Sequence, residues 1–352
     1  MRKITDRAGS RPAGARANQH TPMNPVSIQP FPEPASAQRA VFVIGAGRSG
    51  TSTVARALAA LGVELGQDFK RASRKNPTGF FEDAELLELS KAVRKRIGIR
   101  ADSVRLIDAD ELQGDAMNDL QNKARQLIQR KFPNVPIWGF KYGRTLRILP
   151  FWEPVLASLN IEPSFVIALR NPLSVARSRA RLDPRRGHQA VSDLEWLVSI
   201  VPYLGRTRPY RLCVVDYDQL IDQPVAELSR LAQELQLPPD LAPLERIEAY
   251  ADEFLDRGLR HTRFSSDDLN SAPDLNPVVR DAYRLLLELA AGSPASGDDA
   301  FWQRWQLIEK RVAELAPMLS LIDARERERC RLMLNPLGPL QAFSMLKPWL
   351  RR

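Results

Sequence analysis

The sequence predicts an α/β fold: a three-layer sandwich around a mostly parallel central sheet, followed by a helical C-terminal extension. Three observations carry this. Short apolar runs alternate with segments of helical periodicity from residue 41 to residue 290. The runs are five or six residues long, the length of strands buried on both faces. The first run passes directly into a glycine turn and then a helix, "VFVIGAGRSGTST" at 41–53.

Taken in order, residues 1–39 are rich in Pro, Ala, Ser and Arg without periodicity and predict a disordered basic tail. The first strand is 41–45, and 50–61, "GTSTVARALAAL", is a helix. Segments 83–97 and 115–131 read as helices, and "PIWGFK" at 136–141 as the second strand. "LPFWEPVLASL" is a helix and "SFVIAL", 164–169, a third strand. "NPLSVARSRARL" is a helix opened by Pro172, whose fixed φ suits a first turn. Residues 190–204 are helical, 210–215 form a fourth strand, and 224–236 and 276–291 are helices. In parallel sheets ligands bind beyond the carboxyl ends of the strands. Gly45, Lys141, Arg170 and Asp216 each lie at or just past such an end.

The domain proper is 40–291, and "GSPASGDD" opens a linker and helical extension over 292–352. There Trp305, Ile308, Val312, Leu315, Leu319 and Ile322 repeat at heptad spacing, interrupted by Pro317. Packing onto its own domain and a homodimer seam are both open readings.

Apolar content of 44% and charged content of 26% exclude a disordered or membrane-embedded chain as a whole. The net charge is +9. The first 39 residues hold six Lys/Arg against two acids, so about half the surplus belongs to the folded part. It suits a polyanionic small ligand, nucleic acid or an acidic membrane surface without choosing among them. The two cysteines are far apart, no run approaches the roughly 18 apolar residues of a spanning helix, and there is no apolar leader. These features predict a cytoplasmic protein.

The glycine turn allows three readings. Gly45, Gly47 and Gly50 spell the dinucleotide pattern, which needs a second strand ending in an acid; "GVELGQD" breaks before Asp68. Gly45 and Gly50 also have Walker A spacing, but Thr51 stands where a lysine must reach the phosphates. The third is a phosphosulfate loop with a basic residue, here Arg48, before the last glycine. "FVIALRNPLSVARSRA" weighs on this choice. Arg170 at a strand end and Ser178 on the second turn of the next helix can converge on one anion, forked guanidinium donors beside a hydroxyl.

"GAGRSGTST" and "RNPLSVARS" resemble the 5′-phosphosulfate loop and 3′-phosphate motif of sulfotransferases that use 3′-phosphoadenosine 5′-phosphosulfate (PAPS). "LGVELG", "NPTGFFED", "WGFKYGR", "VVDYDQLIDQP" and "LRHTR" resemble the bacterial branch, so the likeness spans about 40–290. It implies a P-loop NTPase-like fold and transfer of a sulfuryl group from PAPS to a hydroxyl of a glycan, glycolipid or other small acceptor, without a metal. Gly45, Gly47, Arg48, Ser49, Gly50, Thr51 and Ser52 would hold the 5′ end through loop N–H groups, the helix N-terminus and hydroxyls. Arg170 and Ser178 would hold the 3′-phosphate. Arg48 replaces the lysine of many relatives, as in carbohydrate sulfotransferases, and would stabilise charge on the leaving oxygen.

Cytosolic relatives carry Lys and His two residues apart on the strand matching "FKYGR". Lys141 matches the lysine, but Gly143 stands in the histidine's place. Glu82 is then the candidate base, with a helix-start charge as its competing role; Asp83 could cap that helix. His261 in "LRHTR" is the one histidine within a family-like motif. The resemblance implies no nucleic-acid partner. A peripheral membrane contact and a homodimer through the C-terminal helix stay open. A P-loop kinase and a non-catalytic nucleotide-binding protein are the rival readings.

Overall fold

Four strands make one parallel sheet in the order β2-β1-β3-β4: β1 (Gln38–Ile44), β2 (Ile137–Lys141), β3 (Ile161–Leu169) and β4 (Arg211–Asp216). The computed structural model describes residues 37–71, 79–255, 262–292 and 297–334. His261, Asn76–Thr78, most of the stretch read as a tail and the last 18 residues lie outside them. β1 starts at Gln38, within the stretch expected to be tail. Gln38 Nε2 donates to the Phe132 and Val135 carbonyls, and Arg39 Nη1 to the Leu235 carbonyl, which draws both residues onto the sheet edge.

Side chains on each strand alternate between two buried faces. Phe42, Ile44, Trp138, Phe140, Phe165, Ile167, Leu212 and Val214 point into the larger core. Val41, Val43, Ile137, Val166, Cys213 and Val215 point into the smaller one. Helices α1 (Thr51–Ala60), α2 (Ala84–Arg96), α3 (Asn118–Lys131), α4 (Leu149–Ser158), α5 (Pro172–Ala180) and α6 (Gln189–Ile200) follow in order. Then come α7 (Tyr217–Asp222), α8 (Pro224–Glu234), α9 (Leu244–Ala249), α10 (Ser266–Ser271) and α11 (Pro277–Ala290). Residues of α2, α3, α4, α6 and α11 fill the larger core, those of α1, α8 and α9 the smaller. The result is the three-layer arrangement expected from the sequence.

The C-terminal extension holds α12 (Asp299–Ala313) and α13 (Ala316–Leu334). Trp305, Ile308, Val312 and Leu319 are buried against their own chain, while Leu315 and Ile322 are exposed. Glu309 Oε1 accepts the Gly205 N–H at 3.0 Å, tying α12 to the domain. The heptad pattern is thus divided: Leu315, between the two helices, and Ile322 on α13 leave the seam, while Leu319 on α13 stays in it.

All four strands run the same way, so their carboxyl ends meet at one edge. β2 and β3 flank β1 on opposite sides, which places the turn after β1 at the point where the strand order reverses.

Candidate active site

The glycine turn joins β1 to α1. Gly50 is the N-cap of α1 with φ +88, and no side chain caps that helix. The first-turn N–H groups of a helix have no partner within it, so an uncapped start is an anion site in waiting. Gly50 is required twice over: its φ is left-handed, and a Cβ there would lie 2.2 Å from the Tyr217 ring. Arg48 also sits at positive φ, +78, a conformation that costs a non-glycine residue of order 1 kcal/mol and here turns its side chain into the crevice.

Two arginines hold the turn from behind. Arg170 Nη1 donates to the Arg48 carbonyl at 3.3 Å, and its guanidinium lies 4.5 Å from the centre of the Tyr217 ring. Arg179 donates through Nε and Nη2 to the Gly47 carbonyl at 3.3 and 3.2 Å, and through Nη1 to Ser192 O at 2.8 Å. Burial pushes the Arg179 pKa down to about 10, with Glu195 at 3.5 Å pulling it back. Since a peptide N–H points opposite its C=O, holding the Gly47 carbonyl fixes the direction of the next N–H in the turn.

Arg48 Nε donates to Ser178 Oγ at 3.1 Å. Two motifs 130 residues apart therefore meet. Desolvation first, then the Arg170 charge, lower the Arg48 pKa; a guanidinium stays protonated at neutral pH regardless.

On the other side of the turn, Lys141 at the end of β2 is buried. Its Nζ donates to Glu82 Oε1 at 2.8 Å, to the Phe80 carbonyl at 3.0 Å and to Ser52 Oγ at 3.4 Å. Burial lowers the Lys141 pKa and the Glu82 carboxylate opposes that shift. Glu82 also meets Lys70 at 3.4 Å. Its neighbour Asp83 does a different job: it caps α2 by accepting the Glu85 and Leu86 N–H groups and pairs with Lys131 at 2.8 Å. Adjacent carboxylates thus point to opposite sides, one into the crevice and one into the helix start.

Gly143 explains its own departure from the Lys-x-His pattern. A Cβ there would lie 2.7 Å from the Gly45 carbonyl, so a histidine would push the turn off β1. Of the sequence-predicted residues, Gly45, Gly47, Arg48, Gly50, Thr51, Ser52, Glu82, Lys141, Arg170 and Ser178 line one crevice of about 500 Å³. Ser49 does not: its side chain is 1% exposed and its Oγ has no hydrogen-bond partner. The turn rotates that side chain into the protein, which leaves Ser49 its backbone alone for any ligand.

Arg179 and Tyr217 were not legible as site residues. A signal for Arg179 existed: Pro172, Val175, Ala176 and Arg179 are the buried stripe of α5 at helical spacing. Asp216, which ends the "LCVVD" strand in Walker B fashion, caps α7 through the Asp218 N–H and does not line the crevice. The 63–70 segment makes no full strand, only isolated bridges from Glu64 to Trp138 and from Phe69 to Asp83, so the second strand of a dinucleotide fold is missing. Among the described residues no group of three or more His, Cys, Asp or Glu could hold a metal ion, and no helix is long and apolar enough to cross a membrane.

Fold and crevice define a parallel α/β protein with a glycine turn and an uncapped helix start at the switch point of its sheet. A family model described as "Sulfotransferase family" matches residues 40–241. The chain belongs to the sulfotransferase family. Among solved structures it is similar to sulfotransferase STF9 from Mycobacterium avium, at 16% identity and TM-score 0.39 over 63% of this chain and 70% of that one. It is also similar to the sulfotransferase domain of the Synechococcus PCC 7002 olefin synthase, at 15%, 0.35, 81% and 98% in the same order. Sulfotransferase STF1 from Mycobacterium tuberculosis H37Rv follows at 15%, 0.35, 73% and 77%. No curated protein sequence matches the chain.

Proposed function

We propose that this sulfotransferase takes its sulfuryl group from PAPS and transfers it to a hydroxyl of a glycan, glycolipid or other small acceptor. The observation that carries the reading is the 3.1 Å bond from Arg48 to Ser178, which closes the turn and the Arg170 motif around one crevice. The residues present fit such a donor: an uncapped helix start for the phosphosulfate, and Arg170 with Ser178 for a second anion.

When bound, PAPS supplies a sulfuryl group on a phosphate leaving group. Thr51, Ser52 and the start of α1 orient its anionic end. Arg48 and Lys141, which both line the crevice, would supply positive charge to the leaving oxygen, a stabilisation that grows as negative charge develops there. Glu82, held by Lys141, is the carboxylate in reach of an acceptor hydroxyl and receives its proton. No histidine is needed for this step.

Calorimetric titration with 3′-phosphoadenosine 5′-phosphate (PAP), AMP, ATP and NAD tests the donor. PAP binds tightest, and Arg170→Ala costs about 1.5–3 kcal/mol more of PAP affinity than of AMP affinity, because AMP lacks the 3′-phosphate and any loss through the Arg48 carbonyl is common to both. Equal losses for PAP and AMP reject the assignment, and tighter binding of ATP favours the kinase reading.

A further inference from the structure

The crevice holds more positive charge than a donor with two anionic ends uses. Beyond the turn, Arg48, Arg170 and Ser178, its wall carries Arg177 and Arg181, both exposed and one helical turn apart on α5 and its end. Neither pairs with a carboxylate among the described residues, whereas Arg186 nearby is taken by Glu195 at 2.6 Å. Like charges at this spacing repel one another when nothing sits between them. Arg144, from the turn after β2, lines the same wall and is anchored by donating to the Ala101 carbonyl at 2.7 Å. Its charge and that of Arg186 also lower the pKa of buried Arg179, a mark of the positive field on this side. Leu182, 42% exposed, adds an apolar surface next to Arg181.

We propose that Arg144, Arg177 and Arg181 form an anion subsite for the acceptor, so that the molecule sulfated carries a carboxylate, phosphate or sulfate beside its hydroxyl and an apolar portion against Leu182. This rests on the donor reading above, which assigns the other cationic groups. Three guanidiniums around an open wall match the planar, forked geometry of such oxyanions. They also attract an anionic acceptor to a crevice already holding an anionic donor product, where a neutral acceptor would gain nothing from them.

The test uses the full chain saturated with PAP and matched probes that differ in charge. Glucuronic acid and glucose 6-phosphate are titrated beside glucose, and phosphatidylglycerol vesicles beside phosphatidylcholine vesicles. The anionic member of each effective pair binds about tenfold tighter, as two or three exposed ion pairs allow, and R177S/R181S removes that difference. PAP affinity of the double variant stays within about twofold of wild type. Preference confined to the soluble probes identifies a free anionic acceptor, and preference confined to the vesicles a lipid headgroup; either supports the subsite. Equal binding of charged and neutral probes, no binding of any anionic probe, or a preference that survives R177S/R181S overturns it. A parallel fall in PAP affinity assigns these arginines to the donor and also overturns it, while the donor reading stands. Failure of wild type to bind PAP appears in the first titration, before any probe is added, and removes the donor reading and this inference together.

Discussion

Arg179→Gln tests whether the anion-binding turn is held in shape from behind. In the wild type the Gly47 and Ser192 carbonyls both accept from this guanidinium, which is 3% exposed. With the forked pair on Gly47 taken as one, the hydrogen bonds from this charged donor to the two carbonyls contribute about 3–6 kcal/mol together. Against this stands the cost of burying the charge: a pKa lowered from 12.5 to about 10 corresponds to about 3 kcal/mol. Glutamine recovers that cost and loses most of the bonds, while Glu195 keeps Arg186 as a partner. The net destabilisation is therefore modest, about 1–3 kcal/mol, or a fall in Tm of roughly 2–12 °C for a domain of this size. The effect on the turn is larger in proportion, because ordering a loose loop on ligand binding costs affinity. PAP binding should weaken about 10- to 100-fold, measured by calorimetry well below the Tm. Arg179→Lys keeps the charge but not the fork, and should regain stability without regaining PAP affinity. Wild-type PAP affinity in both variants would refute the positioning role whatever happened to Tm.

Three further outcomes follow from the same geometry. Glu82→Gln should leave PAP affinity close to wild type, cost about 1–3 kcal/mol of stability because the buried Lys141 ammonium loses its carboxylate partner, and cut sulfuryl transfer by about 10²–10⁴, whereas unchanged transfer makes Glu82 only the ion-pair partner of Lys141. Gly143→Ala should lower stability by about 1–3 kcal/mol in denaturant melts, since its Cβ meets the Gly45 carbonyl at 2.7 Å; a neutral substitution would mean that the two backbones can part. The folded pKa of Asp216 is pushed up by burial to about 6 from its ordinary value of 3.8. The folded state thus binds this proton more tightly than the unfolded state, and stability falls as pH rises from about 4 to 6. Asp216→Asn should flatten that slope and raise stability at pH 7 by about 1–3 kcal/mol, with the Asn side chain still able to cap α7; an unaltered pH profile of Tm contradicts the assignment.

The sequence by itself determined the layers and the edge where the site lies. Four short apolar runs, at 41–45, 136–141, 164–169 and 210–215, suit burial on both faces as neighbouring parallel strands. The glycine turn and the eight-residue step from Arg170 to Ser178 are local patterns, so they could be singled out without coordinates. Tertiary structure decided what depends on contacts between distant segments. It buried the Ser49 hydroxyl, sent Glu82 to Lys141 and Asp83 to the α2 start, and set Arg179 under the turn. It also made position 143 a glycine's place by bringing two backbones within reach of a Cβ. It divided the C-terminal apolar repeat, burying Trp305, Ile308, Val312 and Leu319 and leaving Leu315 and Ile322 exposed. The physical reason is common to all of these. Periodicity and propensity act within about ten residues of chain, whereas the direction of a side chain at a loop, and the burial of a charge, are set by whatever the fold brings opposite it.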